Sequence, residues 1–180
     1  HRGGDADGRR PSNHHVPDGL GYSGGVAAMD VLLPRRENSL IDEDDGVAAQ
    51  GGVAASLMVH GIGLPPILAM GSEQMKQRIA PAVLAGEKII SLGITEPSGG
   101  SDVANLKTKA ERKGASYIVN GSKTYITSGM RADYVTVAVR TGGPGMGGVS
   151  LLLIETDRPG FSRTALAKMG WHASDTATLH

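Results

Sequence analysis

Cysteine is absent from this 180-residue chain, which excludes a disulfide framework and any thiolate metal site. Its absence fits a reducing compartment. Aromatic residues make up only 3% of the sequence, so a core has to be assembled from Ala, Val, Ile and Leu. An excess of one charge is lacking too: 18 basic side chains balance 18 acidic ones. Nothing in that balance asks for nucleic acid or an anionic membrane as partner. No apolar run reaches the roughly 20 residues of a membrane-spanning helix. The first residues carry neither an initiator Met nor the charged-then-apolar layout of a secretory signal. The chain opens on His1 and stops in mid-pattern at His180, and both ends read as truncations. What is abundant is glycine, at 27 residues, beside a hydrophobic content of 39% that does not include it. The length suits one domain, or one domain and a fragment of a second.

Residues 1–25 are rich in Gly, Asp, Arg, Pro and His and show no period, so they are expected to be disordered or extended. Residues 26–33 start like a helix that Pro34 interrupts, and Glu43-Asp44-Asp45 reads as a solvated turn. We assign residues 1–45 to a poorly ordered or divergent N-terminal segment. Residues 46–70 are apolar and Gly/Ala-rich, with a buried helix expected to end near Gly63 and a break at Pro65-Pro66. Ser72 is placed to cap a further helix in which Met75, Ile79 and Val83 recur four apart on one face. Pro81 within that pattern predicts a break into two short helices, and Gly86 a terminator. Residues 46–86 are thus read as part of a helical domain.

The hydrophobic period changes after Gly86. Residues 88–95 read as a strand, 108–112 alternate, and 117–119 precede Asn120-Gly121, a strong hairpin signal. Tyr134–Arg140 and Val149–Glu155 are rich in β-branched residues, and Leu166 begins another extended stretch. The fold class is therefore α+β: N-terminal helices followed, over residues 87–180, by an antiparallel, β-barrel-like domain. Closely spaced strands joined by turns favour a barrel or sandwich over a βαβ unit.

Two segments carry candidate chemistry. Leu92-Gly93-Ile94-Thr95-Glu96-Pro97-Ser98-Gly99-Gly100-Ser101-Asp102 ends a strand and opens a loop of small residues. Consecutive N–H groups in such a loop form an anion-binding nest, although a plain surface loop has the same composition. In Asn120-Gly121-Ser122-Lys123-Thr124-Tyr125-Ile126-Thr127-Ser128-Gly129, an aromatic face, an aliphatic face and a hydroxyl follow one another. That mix suits a flat ring with polar edges, and equally an ordinary alternating strand.

Two other features are set aside. Gly143-Pro144-Gly145-Met146-Gly147-Gly148 contains G-x-G-x-x-G, but it lies between two strands rather than between a strand and a helix. The histidines form no ligand spacing: His14-His15 falls in the region expected to be disordered, His60 reads as a satisfied core histidine, and His172 as structural. No metal site is supported. Glu96 stands beside Thr95 in the first candidate segment and tempts as a general base.

Taken together, the segments resemble the acyl-CoA dehydrogenase family. The resemblance runs from about Ser72 to Leu179. It rests on Gly71-Ser72-Glu73-Gln74-Met75-Lys76-Gln77-Arg78, the 94–102 loop, Lys123-Thr124-Tyr125-Ile126-Thr127-Ser128-Gly129, and Lys168-Met169-Gly170-Trp171-His172-Ala173-Ser174-Asp175-Thr176. It departs from the family pattern at Leu33-Pro34-Arg35, where the family has a helix, and at Tyr125, where the family commonly has Trp.

The resemblance implies FAD against a middle β-domain, with the C-terminal four-helix domain and its catalytic Glu lying beyond this chain. By position, Leu92, Ile94 and Thr95 would line the flavin, Gly100 and Ser101 would serve its pyrophosphate and the thioester's pantetheine arm, and Tyr125, Ile126 and Thr127 would flank the ring. Ser101 is then also the substrate-binding candidate. The resemblance implies that the Glu96-Pro97 step is a structural turn, which sets Glu96 aside as a base, and that no residue of this chain is catalytic. The implied partners are an acyl-CoA substrate and an electron-transferring flavoprotein as acceptor. The implied assembly is a homotetramer or homodimer, in a bacterial cytoplasm or, for a eukaryotic source, the mitochondrial matrix. A non-catalytic β-domain that binds an acyl thioester or a protein partner is the alternative.

Overall fold

The structure is a computed structural model that describes residues 51–180. The expectations for residues 1–50, including the segment boundary at 45, the interrupted helix at Pro34, the acidic turn and His14-His15, lie outside the described residues.

The apolar stretch holds three short helices, α1 (Gly51–Met58), α2 (His60–Gly63) and α3 (Pro65–Met70), with a helix end at Gly63 as expected. Pro65 and Pro66 stand just after the break at Leu64. They occupy the first positions of α3, where an N–H has no intrahelical partner to lose and the fixed φ is already helical. Ser72 caps α4 (Glu73–Leu84) as expected, its hydroxyl accepting from the Met75 N–H at 3.2 Å. Ile79 and Val83 are fully buried, with Met75 packed beside them. Pro81 does not split α4. It lies on the exposed face, so the carbonyl it leaves unpaired faces water, while buried Ile79, Ala80 and Val83 clamp the helix on both sides of it.

The strands are β1 (Ile90–Gly93), β2 (Lys109–Lys113), β3 (Ser116–Asn120), β4 (Lys123–Thr127), β5 (Tyr134–Arg140), β6 (Val149–Glu155), β7 (Arg163–Ala165) and β8 (Thr176–Leu179). They form two sheets. In the larger, β5 pairs along its whole length with antiparallel β6. Its other edge is shared by β1, in register from Ile90↔Tyr134 to Gly93↔Val137, and by the start of β2 at Lys109↔Arg140. The smaller sheet is β4-β8-β7, antiparallel throughout.

The helices-then-sheets order is as expected, and two details differ. The β1 and β2 pairings with β5 are parallel, because the connection from β1 to β5 runs through β2, β3 and β4, a path long enough for a parallel return. The hairpin β2–β3 closes at Lys113↔Ser116, so its tip is Gly114-Ala115. Asn120-Gly121 instead carries the chain from one sheet to the other. Among the described residues the sheets do not close into a barrel.

β5 is the centre of the fold. On one face, Val135, Val137 and Val139 pack against Ile126, Ala177 and Leu179 of the smaller sheet. On the other, Tyr134 meets the cluster of Leu64, Ile67, Ile79, Val83 and Ile90, and the Thr136 hydroxyl donates to the Gly63 carbonyl at 2.8 Å. A strand covered on both faces has to be apolar on both, as Tyr134-Val-Thr-Val-Ala-Val is. Each buried Val or Ile contributes roughly 1.5–3 kcal/mol, so an aspartate at Val137 would break the contact between the sheets.

Candidate functional site

β1 and β4 belong to different sheets, yet three sets of hydrogen bonds hold them together. The Ser91 hydroxyl donates to the Thr127 carbonyl at 2.8 Å. The Thr124 N–H donates to the Thr95 carbonyl at 2.8 Å. The Lys123 ammonium donates to the Ile94 carbonyl at 3.0 Å and to Glu96 Oε1 at 2.9 Å. The two segments singled out in the sequence are therefore neighbours in space, and Thr95, Tyr125 and Thr127 occupy adjoining positions.

Register along β4 explains how its side chains divide. Lys123 pairs with Leu179 and Ile126 with Ala177, so one extra residue is accommodated between them. A bulge of this kind re-aims side chains. Tyr125, at φ 58°, is turned out and is 69% exposed, while Ile126 faces the core. Ile126 is 2% exposed, so its backbone is what this residue presents at the surface. Thr127 is half-buried, as are Leu92, Ile94 and Thr95 along and just beyond β1. Ser91 and Gly93 point the other way, with Gly93 against Val135 and Lys123.

The loop after Thr95 turns sharply. Glu96 and Gly99 exchange backbone hydrogen bonds, both at 3.0 Å. Gly100 folds back over Thr95, so that a Cβ built on it would stand 3.1 Å from Thr95 Cγ2 and 3.3 Å from Oγ1. Ser101 is exposed at the rim.

Glu96 is buried and its carboxylate is fully engaged. It accepts from the Lys107 N–H at 2.5 Å, the Thr108 N–H at 2.8 Å and the Lys123 ammonium. Burial pushes the carboxyl up, but the hydrogen bonds from Thr108, Lys123 and Lys107 outweigh it and bring it to about 2. Burial in turn pulls the Lys123 ammonium down, with Glu96 opposing. A carboxylate so held is a poor proton acceptor near neutral pH, in keeping with the reading of Glu96 as part of a turn.

The closing motif joins the same region. Asp175 accepts from the Met130 N–H at 2.8 Å and from Arg131 Nε at 2.6 Å, and its carbonyl accepts from the Ser128 N–H at 2.9 Å. Helix α4, which carries the first motif, packs elsewhere, with Arg78 paired to Glu155. The Gly142–Gly148 stretch is a loop between β5 and β6, as expected; Arg140 Nη1 donates to the Gly143 and Gly145 carbonyls at 2.6 and 3.2 Å.

Two findings had no signal in sequence. His60 is 9% exposed, and among the described residues its buried Nδ1 has no hydrogen-bond partner, so the satisfied core histidine expected there is not seen. The larger groove, about 690 Å³ and lined by Tyr117, Ile118, Leu152, Ile154, Phe161 and Leu179 among others, contains none of the candidate site residues. It lies between β3, β6 and the end of β8. The cross-linked β1–β4 surface is the better candidate, because it carries the exposed Tyr125 and the half-buried Thr95 and Thr127 on segments tied together by hydrogen bonds.

A family model described as "Acyl-CoA dehydrogenase, middle domain" matches residues 91–180. The chain belongs to the acyl-CoA dehydrogenase family. Isobutyryl-CoA dehydrogenase, mitochondrial, from Bos taurus is 37% identical over 164 residues, which is 89% of this chain and 39% of that protein. A probable acyl-CoA dehydrogenase from Mycobacterium abscessus superposes with TM-score 0.71 at 60% identity, over 72% of this chain and 35% of that one. A glutaryl-CoA dehydrogenase from Mycobacterium smegmatis, solved in complex with FADH2, does so with TM-score 0.65 at 25% identity, over 83% of this chain and 53% of that one. This family member spans between 22% and 42% of the length of the curated relatives it matches. Among the described residues no helix is long and apolar enough to cross a membrane, and no cluster of His, Asp or Glu is arranged to hold a metal ion.

Proposed function

We propose that this chain is the flavin- and thioester-facing part of an enzyme that carries out FAD-dependent α,β-dehydrogenation of an acyl-CoA. The observation that supports the proposal is that the segment carrying Thr95 and the strand carrying Tyr125 and Thr127 are tied side by side by the Thr124–Thr95 and Ser91–Thr127 hydrogen bonds. The residues present fit the group. Tyr125 offers an exposed aromatic face, Thr95 and Thr127 offer half-buried hydroxyls, and Gly100 leaves beside Thr95 a space that a Cβ would fill.

In this reading Leu92 and Ile94 would hold the ring with apolar surface, Thr95 and Thr127 would offer it hydroxyls, and Tyr125 would offer an aromatic face. Ile126 contributes through its backbone. Gly100 and Ser101 lie where a pyrophosphate and a pantetheine arm would run. Bound FAD supplies the hydride acceptor. The protein's part is to hold that group rigidly and exclude water on this side. Proton abstraction from the thioester needs a carboxylate less firmly held than Glu96, and we assign it to sequence outside this chain. By the same resemblance the electron acceptor is an electron-transferring flavoprotein and the assembly a dimer or tetramer. The segment boundaries at 45 and 86 belong to the same reading, as does a bacterial cytoplasmic or mitochondrial matrix location.

The test is to purify the complete gene product and this chain side by side. The complete protein is expected to be yellow and to bleach when a saturated acyl-CoA is added without oxygen. This chain is expected to bind FAD weakly and not to bleach. A folded complete protein that neither retains nor takes up flavin would favour a non-catalytic binding domain and overturn the proposal. Bleaching of this chain at the rate of the complete protein would place a base within it.

A further inference from the structure

Lys123 and Glu96 form a buried ion pair, each side chain 3% exposed. Such a pair is seldom there for stability, because the desolvation of two charges largely cancels their attraction, and apolar residues of similar size often do as well. What a buried pair can supply is a unique geometry. Here the geometry is specific. Lys123 is on β4, two residues before Tyr125. Its ammonium donates to the Ile94 carbonyl, just before Thr95, and to the Glu96 carboxylate, just after it. Glu96 in turn accepts from the Lys107 and Thr108 N–H groups, so the far end of the loop is gathered onto the same carboxylate. One cation thus brackets Thr95 and joins the loop that carries Gly100 and Ser101 to the strand that carries Tyr125 and Thr127.

We infer that Lys123, acting with Glu96, is the positioning residue that sets the spacing between the Thr95–Ser101 loop and the Tyr125–Thr127 strand, and hence the fit of the flavin between them. The inference rests on the functional reading above. Lys123 needs no contact with cofactor or substrate for this role. Its backbone neighbour Thr124 already donates to the Thr95 carbonyl, but one hydrogen bond leaves the loop free to pivot. The ammonium adds contacts on both sides of that bond and removes the pivot.

Removing only one charge strands the other in the interior, so Lys123→Met alone is expected to fold poorly. The informative variant is Glu96→Gln combined with Lys123→Met, made in the complete protein. It removes both charges and keeps the volume. Its melting temperature is expected to stay near wild type, while the flavin dissociation constant rises by about tenfold to a hundredfold, the scale of an ångström-level misplacement. The flavin potential should shift with it. In the flavin-free protein, the amides of Lys107, Thr108 and Thr124 should exchange with solvent faster than in wild type, whereas amides of β5 should not. If wild type itself binds no flavin, the functional reading fails. If wild type binds flavin, and the folded double variant shows the same affinity, potential and amide exchange, the pair is only structural and this inference is overturned.

Discussion

Gly121 lies directly against Thr108: a Cβ built on the glycine would stand 2.5 Å from Thr108 Oγ1 and 2.7 Å from its Cα. This contact is where the chain leaves the larger sheet for the smaller one. At φ 152° the backbone is in a region that side chains rarely adopt, and Thr108 is itself held by the Glu96 carboxylate through its N–H. The neighbour therefore has little room to yield.

Gly121→Ala should accordingly destabilise the protein by about 2–4 kcal/mol, overpacking and backbone strain together. Gly114→Ala makes the control. Gly114 also has positive φ, 61°, but a Cβ added there would meet nothing within 4 Å, so the loss should be only about 1 kcal/mol. Urea midpoints of the two variants measure the difference. Equal losses would mean that the Thr108 contact does not restrict the crossing.

Acid should weaken the fold through Glu96. Its folded pKa of about 2 is below the ordinary 4.5, so its contribution is complete above pH 4.5 and is lost as pH falls toward 2. Over that window the unfolded chain binds the proton more readily, and stability rises with pH. The full effect is about 3 kcal/mol. Asp133 and Glu155 are also held low, and both act in the same direction. Comparing the pH dependence of wild type with that of the Glu96→Gln, Lys123→Met double variant, which leaves no buried charge stranded, isolates the Glu96 share. Parallel curves would show that its carboxyl titrates normally in the fold.

His60 should behave in the opposite sense to a stabilising ion. Burial lowers its pKa, and the nearby Arg131 charge lowers it further. Below pH 6.5 the unfolded chain therefore takes up the proton first and stability falls. His60→Leu removes both that dependence and a buried nitrogen that has no partner among the described residues, with an expected gain of about 1 kcal/mol at neutral pH. A loss of stability in thermal melts would show that the imidazole makes an interaction that the leucine cannot replace.

Thr127→Val keeps the shape of a half-buried side chain and removes its hydroxyl. The carbonyl of residue 127 still accepts from Ser91, so the β1–β4 link survives. In the complete, flavin-loaded protein we expect a shifted flavin absorbance or potential with an unchanged melting temperature. An identical spectrum and potential would place the hydroxyl away from the ring.

Much of the fold could be read from short-range pattern. Ser72 and the Met75, Ile79, Val83 spacing define a capped, amphipathic helix whatever surrounds it, and β5 and β6 announce themselves through β-branched runs. Local signals failed where tertiary packing overrode them. Pro81 stays inside a helix because its neighbours are clamped against the core. Asn120-Gly121 has the chemistry of a hairpin turn, but Gly121 is needed for its approach to Thr108, and the hairpin closes at Gly114-Ala115 instead. The two site segments and the family were legible as motifs. Their meeting was not, because it depends on bonds between residues far apart in sequence: Ser91 with Thr127, Thr95 with Thr124, and Glu96 with Lys123. The burial of Ile126, the exposure of Tyr125 and the ionised state of Glu96 follow from the same long-range geometry. Sequence alone determined which residues are available for the site. Tertiary structure decided which way each one faces and which of them are held together.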